Sequence, residues 1–268
     1  MTDVPAGAHE RAQRFVDLHR ASELFVMANP TNTGTAKMLE KLGYAALGTS
    51  SAALARSLGR RDGENALSRV EAIDHAKELA AATTVPISGD FENGYGDDPA
   101  AVAETIRASI EAGLAGCSIE DATGRTDDPI YDAGLAAERI AAGAQAMANQ
   151  PFVLVARAEN FLHERADLND TIARLQSFEA AGASAVYAPG LTTMDQVRAV
   201  VSSVGIAVNV LVGLPGQNFS LDDLAEAGVR RVSVGSGLER VANSALERAA
   251  KQLLDTSASV GPMFSTGE

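Results

Sequence analysis

Short apolar runs alternate along the chain with longer stretches in which apolar residues recur every third or fourth position. The short runs lie near 24–28, 45–49, 86–90, 116–120, 152–157, 184–188, 207–211 and 230–234. They are apolar on both faces, as strands buried in a parallel sheet are. Between them the spacing is helical, as in Val102, Ile106 and Ile110, or Leu168, Ile172, Leu175 and Phe178. Gly43, Gly113, Gly182 and Gly228 each stand between a helical stretch and the next run, where a left-handed residue ends a helix. Asp98-Pro99 supplies an N-cap followed by proline at the first helical position. Eight strands alternating with helices predict an α/β fold, a (β/α)8 barrel, with a doubly wound sheet as the alternative. Residues 1–22 are expected to form an extra N-terminal helix over the barrel floor, 23–255 the barrel, and 256–268 a frayed tail.

The connections are unequal. Those entering strands are short and bland, as at Val85-Pro86 and Gly205-Ile206. Those leaving strands hold the unusual polar residues: Asn29-Pro30-Thr31-Asn32, Thr49-Ser50-Ser51, Asp90 to Gly96, Glu120-Asp121, Arg157 to Asn160, and Asn209. In a barrel all of these gather at the C-terminal face, where barrel active sites lie. The asymmetry favours an enzyme over a binding scaffold.

The 268 residues suit one barrel. Lys+Arg number 22 against 35 Asp+Glu, a net charge of −13, which argues against nucleic acid and anionic membranes as partners. The lone cysteine, Cys117, permits no internal disulfide and suits a reducing, cytoplasmic setting. The charged stretch around His9-Glu10-Arg11 does not read as a signal peptide, and no apolar run approaches the ~20 residues of a membrane span.

Asp90 and Glu92 follow the third strand, and Glu120 and Asp121 end the fourth. As neighbours they would crowd one patch and raise one another's pKa values unless a cation relieved the repulsion. Oxygen-only ligands favour Mg2+, with Mn2+ possible in its place. Asp97, Asp98, Asp127 and Asp128 read instead as helix caps or partners of arginine. Arg157, ending the fifth strand, needs Glu120, Glu159 or a substrate anion as partner. Gly94 and Gly96 read as a turn with positive φ, and Gly213 to Gly216 and Gly235 to Gly237 as a weak phosphate-loop signal. Cys117 reads as a buried small side chain, His9 and His19 as helix surface, and His75 as solvent-facing. His163 is the histidine placed to approach the site.

Ser88-Gly89-Asp90-Phe91-Glu92-Asn93-Gly94-Tyr95-Gly96 resembles the Asp-x-Asp-x-Gly-x-Gly segment of the isocitrate lyase/phosphoenolpyruvate mutase superfamily. Thr49-Ser50-Ser51 with the later Asp62, Ser118-Ile119-Glu120-Asp121 and Ala156-Arg157-Ala158-Glu159 resemble three further motifs in the same order, over roughly residues 20–250. The resemblance implies a Mg2+-dependent barrel, often a tetramer exchanging its last helix. It implies Asp90 as metal ligand, with Glu92, Glu120 and Asp62 holding the metal's waters. Thr49, Ser50, Ser51, Asp90, Arg157 and Asn209 would bind a small carboxylate or phosphonate substrate. Arg157, Asp62 and Glu120 would be catalytic, with Arg157 stabilising a pyruvate enolate.

The loop Asp121-Ala122-Thr123-Gly124-Arg125-Thr126-Asp127-Asp128-Pro129 lacks the Lys-Lys-Cys-Gly-His motif of the lyases and the Lys-x-Asn-Ser segment of the mutases. Glu92 replaces a second Asp, and Gly190 stands where lyases carry Glu. The loop is expected to act as a lid, with Arg125 reaching a second substrate carboxylate. The expected activity is a lyase or decarboxylase cleaving a C–C bond of a 2-oxo or 2-hydroxy (di)carboxylate. The alternatives are mutase- or phosphonopyruvate hydrolase-type P–C chemistry, or a non-catalytic 2-oxo acid binding barrel. A homo-oligomer, dimer or tetramer, is expected.

Overall fold

A computed structural model, describing residues 5, 7–63, 65–147 and 150–254, places a strand at each of the eight apolar runs. They are β1 (Phe25–Met27), β2 (Leu47–Gly48), β3 (Ile87–Asp90), β4 (Gly116–Glu120), β5 (Val153–Arg157), β6 (Ala185–Tyr187), β7 (Ala207–Leu211) and β8 (Arg231–Ser233). All pairs are parallel, in the order β1-β8-β7-β6-β5-β4-β3-β2. A single bridge between Ala28 and Leu47 joins the two ends. That order closes a (β/α)8 barrel and excludes the doubly wound sheet, whose order reverses at a switch point. At the seam Asn29 adds to the ladder. Its Nδ2 donates to the carbonyls of Gly48 and Thr49, at 3.1 and 2.9 Å, and its Oδ1 accepts from the Val234 N–H at 3.4 Å.

The helices are α1 (Ala8–Arg20), α2 (Thr33–Lys41), α3 (Ser51–Ser57), α4 (Arg69–Ala82), α5 (Pro99–Glu111), α6 (Ala133–Ala146), α7 (Leu168–Ala180), α8 (Met194–Ser203), α9 (Leu221–Glu226) and α10 (Gly237–Leu254). Their starts are chemically marked: Asn32, Ser68, Thr193 and Ser220 form capping boxes, and Asp98 accepts from the Ala100 N–H ahead of Pro99. Gly43, Gly113, Gly182 and Gly228 end helices with φ of 96°, 81°, 98° and 89°.

Alternation along each strand divides the core into two. Outward residues such as Ile87, Ile119, Leu154, Val186 and Val232 pack with Ile106, Leu175 and Phe178 of the surrounding helices. Each such buried side chain contributes about 1.5–3 kcal/mol. Inward residues Phe25, Met27, Val153, Val155 and Ala185 fill the lower barrel, and Phe15 of α1 plugs it from below. His19 is not helix surface. It is buried with its ring edge-on to Phe15 and Phe25, and its Nδ1 lies 2.8 Å from the Phe15 carbonyl oxygen. His75 is likewise not free in solvent: it is half-buried, with Nε2 2.9 Å from the Thr31 carbonyl. His9 is exposed.

α10 differs from the other long helices. Glu239 is its buried residue, tied to Arg56 of α3 at 2.8 Å, while Val241, Leu246 and Leu254 are 68%, 68% and 84% exposed. The expected tail 256–268 lies outside the described residues. Among the described residues no helix is long and apolar enough to cross a membrane.

Candidate active site

Period-two alternation that is apolar at the barrel floor turns polar at its mouth. β5 runs Val153, Val155, Arg157 on its inner face; β4 runs Gly116, Ser118, Glu120; β3 offers Ser88 and Asp90. Of these, Ser88, Asp90, Ser118, Glu120 and Arg157 line a cavity of about 350 Å3 at the C-terminal end of the strands. Asp62, Glu92, Glu159, Ser50, Ser51 and Thr49 also line it, as do Leu162 and His163 from the 3-10 turn after β5, and Gly235 and Ser236 after β8.

Arg157 is the hub. Its Nη1 lies 2.9 Å from Asp90 Oδ1, its Nη2 3.1 Å from Glu120 Oε2 and its Nε 2.8 Å from Glu159 Oε1. Three successive strands and the following loop are thereby tied together. Its carbon centre stands 5.0 Å from the centroid of the Tyr187 ring. Burial works against its charge, but Glu159, Glu120 and Asp90 hold it protonated well above the usual guanidinium range. The alternatives left open by the sequence are resolved for the free protein: Arg157 pairs with both glutamates and with Asp90.

Asp90 is gripped from the other side. Its Oδ2 accepts from the Ser51 N–H and hydroxyl at 2.9 and 3.0 Å, its Oδ1 accepts from Ser118 at 3.2 Å, and its own N–H donates to Thr49 Oγ1 at 2.7 Å. Ser50 caps α3, accepting from the Ala53 N–H. The loop after β3 is strained: Glu92 and Tyr95 take φ of 45° and 62°. For non-glycine residues such conformations persist only where the surroundings enforce them. Here the enforcing contacts are the Asn65 N–H, which donates to Glu92 Oε2 at 2.6 Å, and Asn93 Oδ1, which accepts from the Tyr95 N–H at 2.9 Å. Gly94 has the expected positive φ of 79°, but Gly96 does not. Gly96 serves close packing instead, since a Cβ there would stand 2.8 Å from that of Ala101.

Several expected residues lie elsewhere. Asp121 is turned away from the acidic patch. It pairs with Arg174 at 3.0 Å and accepts from the Glu159 N–H at 2.8 Å, and burial pushes its carboxyl up to about 6. Asn209 is buried mid-strand and does not line the cavity; its Nδ2 donates to Ser233 Oγ at 3.0 Å. Arg125 does not face the cavity. It pairs with Asp97 at 2.9 Å and Asp128 at 3.5 Å, and the loop carrying it folds back through a bridge between Ala122 and Ile130. No residue from 121 to 130 lines the cavity. Cys117 is fully buried on the outer face of β4, where desolvation raises its thiol pKa.

Sequence reasoning missed Arg231 and Tyr187. Both line the cavity and both are buried. Arg231 is 4% exposed, and its Nε and Nη1 meet no acceptor. Each such orphaned donor costs about 1–3 kcal/mol. Burial, reinforced by the charge of Arg157, pulls its guanidinium down to about 10.

Five carboxylates line the cavity, those of Asp62, Asp90, Glu92, Glu120 and Glu159, against the guanidiniums of Arg157 and Arg231. This acidic, all-oxygen surplus fits a hard divalent cation. Among the described residues no group of three His, Cys, Asp or Glu side chains is arranged as a direct cage. The fit is therefore to a cation that keeps several waters and takes one or two protein carboxylates, the habit of Mg2+.

Comparison with known proteins identifies the family of this fold. The family described as phosphoenolpyruvate phosphomutase matches residues 15–254. A crystal structure from Burkholderia cenocepacia J2315, described as a lyase/mutase, is 47% identical with a TM-score of 0.90, covering 94% of this chain and 90% of that one. A second from the same organism, described as a phosphonomutase, is 33% identical with a TM-score of 0.84, covering 91% and 99%. The 2-methylisocitrate lyase of Shewanella oneidensis is 27% identical over 90% of this chain and 85% of its own. Fold, motifs and match together make this chain a member of the phosphoenolpyruvate phosphomutase family, within the isocitrate lyase/phosphoenolpyruvate mutase superfamily.

Proposed function

We propose that the protein is a Mg2+-dependent carbon–carbon lyase or decarboxylase acting on a small 2-oxo or 2-hydroxy dicarboxylate through a pyruvate-like enolate. The observation that carries this reading is the buried, fully protonated Arg157 facing the cavity among an excess of carboxylates. Asp90 would hold the cation, with Glu92, Glu120 and Asp62 holding its waters. When bound, Mg2+ supplies Lewis-acid stabilisation of charge on the substrate's C2 oxygen.

The chain's own residues do the rest. Arg157 presents a fixed positive charge, held in place by three carboxylates, to the oxygen on which the enolate charge develops. The Ser51 N–H and hydroxyl, now on Asp90, stand where they can also receive a substrate carboxylate. Departing CO2 is neutral and needs no acid beside it. This suits a cavity whose lining includes no cysteine, Cys117 being on the other face of its strand.

A second reading is P–C bond chemistry, favoured by the family match and by the 33% identity to the protein described as a phosphonomutase. The test is pyruvate and phosphate release from oxaloacetate, methylisocitrate, dimethylmalate and phosphonopyruvate, by wild type and Asp90→Ala, with Mg2+ or EDTA. We expect pyruvate from a C–C substrate, lost with EDTA and reduced at least about 10^3-fold in Asp90→Ala. Phosphate release from phosphonopyruvate alone would select the second reading, and turnover unchanged by EDTA would sink both.

A further inference from the structure

The mouth of the cavity does not account for its floor. Arg231 opens β8, at the end of the strand opposite to the other charged residues. Its register row runs Glu120, Arg157, Tyr187, Asn209, Arg231 and then Phe25. Because barrel strands are tilted and staggered, that row descends from the mouth to the barrel interior. Arg231 stands near its lower end, beside Phe25. In a filled barrel these inner layers hold bulky Val, Ile and Leu. Here Ser88, Ser118 and Ser233 leave the space open to Arg231, in the same cavity as Asp90.

The two cavity guanidiniums are neutralised differently. Arg157 is matched by three carboxylates. Arg231 keeps Nε and Nη1 without acceptors although both are shut off from bulk solvent. Buried charge without partners is rare in folded proteins unless a ligand supplies them.

We propose that Arg231, with the serines that line the same cavity, is the receptor for a second oxyanion group of the substrate, a carboxylate or phosphonate seated below the Arg157 hub. It would make the site selective for substrates with two anionic groups. The proposal rests on the reading of the mouth as a 2-oxo acid site.

The test is calorimetric binding with Mg2+ present, using oxalate, which offers the headgroup alone, and malate, which adds a carboxylate one methylene away. Arg231→Met should weaken malate about 30-fold, the effect of losing charge-assisted hydrogen bonds. Oxalate should stay within about threefold, and Arg231→Lys should fall between. Equal loss of both ligands, or loss of neither, overturns the proposal. Arg231→Met should melt no lower than wild type, because it removes an unpaired buried charge; a clearly lower melting point would make Arg231 structural and also overturn it. If wild type binds neither ligand, the 2-oxo acid reading is what fails, and inorganic phosphate decides the floor. Thermal stabilisation by phosphate that disappears in Arg231→Met sustains the oxyanion receptor, and no such difference refutes it.

Discussion

Arg157 concentrates two duties in one side chain. It faces the cavity where enolate charge would develop, and it fastens Asp90, Glu120 and Glu159 to one another. Arg157→Gln should therefore lower kcat by about 10^2–10^3-fold and also lower Tm, because three carboxylates are left facing each other. Arg157→Lys should recover much of the Tm but little of the rate, since an ammonium cannot meet three carboxylates with a planar fork. Steady-state kinetics beside a thermal melt separates the two effects; rate and Tm recovering in parallel would refute the dual role. Much of this residue-scale picture was legible beforehand, because strand-end polar residues in a barrel converge by geometry. Arg231 was illegible for the same reason: it starts its strand, and strand stagger, which no residue announces, carries it beneath the mouth.

At the scale of elements, the strands were legible because their apolar runs are short and two-sided, and the helices because glycine and capping residues bracket them. α1 lies on the barrel floor as expected, but its packing face is hidden in the sequence. Its polar composition hid the stripe Ala8, Ala12, Phe15 and His19 that it lays on the barrel floor. Burial there holds the His19 imidazole down to about 3, with the Arg231 charge acting the same way against the Phe15 hydrogen bond. Its folded pKa thus lies below the unfolded value of ~6.5, so the unfolded chain binds the proton first. The stabilisation is complete above pH 6.5 and fades as pH falls toward 3. Between pH 7.5 and pH 5, wild type should lose about 2 kcal/mol more than His19→Phe. Urea melts at the two pH values measure it, and parallel losses would rule it out. In the loop after β4 the charges are satisfied locally: Arg125 meets Asp97 and Asp128, a pairing invisible in the sequence until Asp97 is brought alongside.

At the scale of the whole molecule, α10 exposes an apolar face. Leu238, Ala242, Leu246, Ala249 and Leu253 recur at three- and four-residue intervals on a helix whose buried residue is Glu239. We infer that a second copy of this chain covers that stripe, giving a dimer or tetramer. Leu246→Glu with Leu253→Glu should then convert the oligomer to monomer in analytical ultracentrifugation without unfolding the barrel; a monomeric wild type would dismiss the idea. Barrel closure is reinforced by Asn29, whose amide spans β1, β2 and the end of β8. Chemical ageing bears directly on such a residue. Deamidation would put a carboxylate where two carbonyls need a donor, and would open the seam. The usual route runs through attack by the next residue's backbone nitrogen to form a cyclic imide. Pro30 has no N–H to attack with. The asparagine that braces the seam is thereby protected, by its neighbour in sequence, from the slow chemistry to which asparagines are prone.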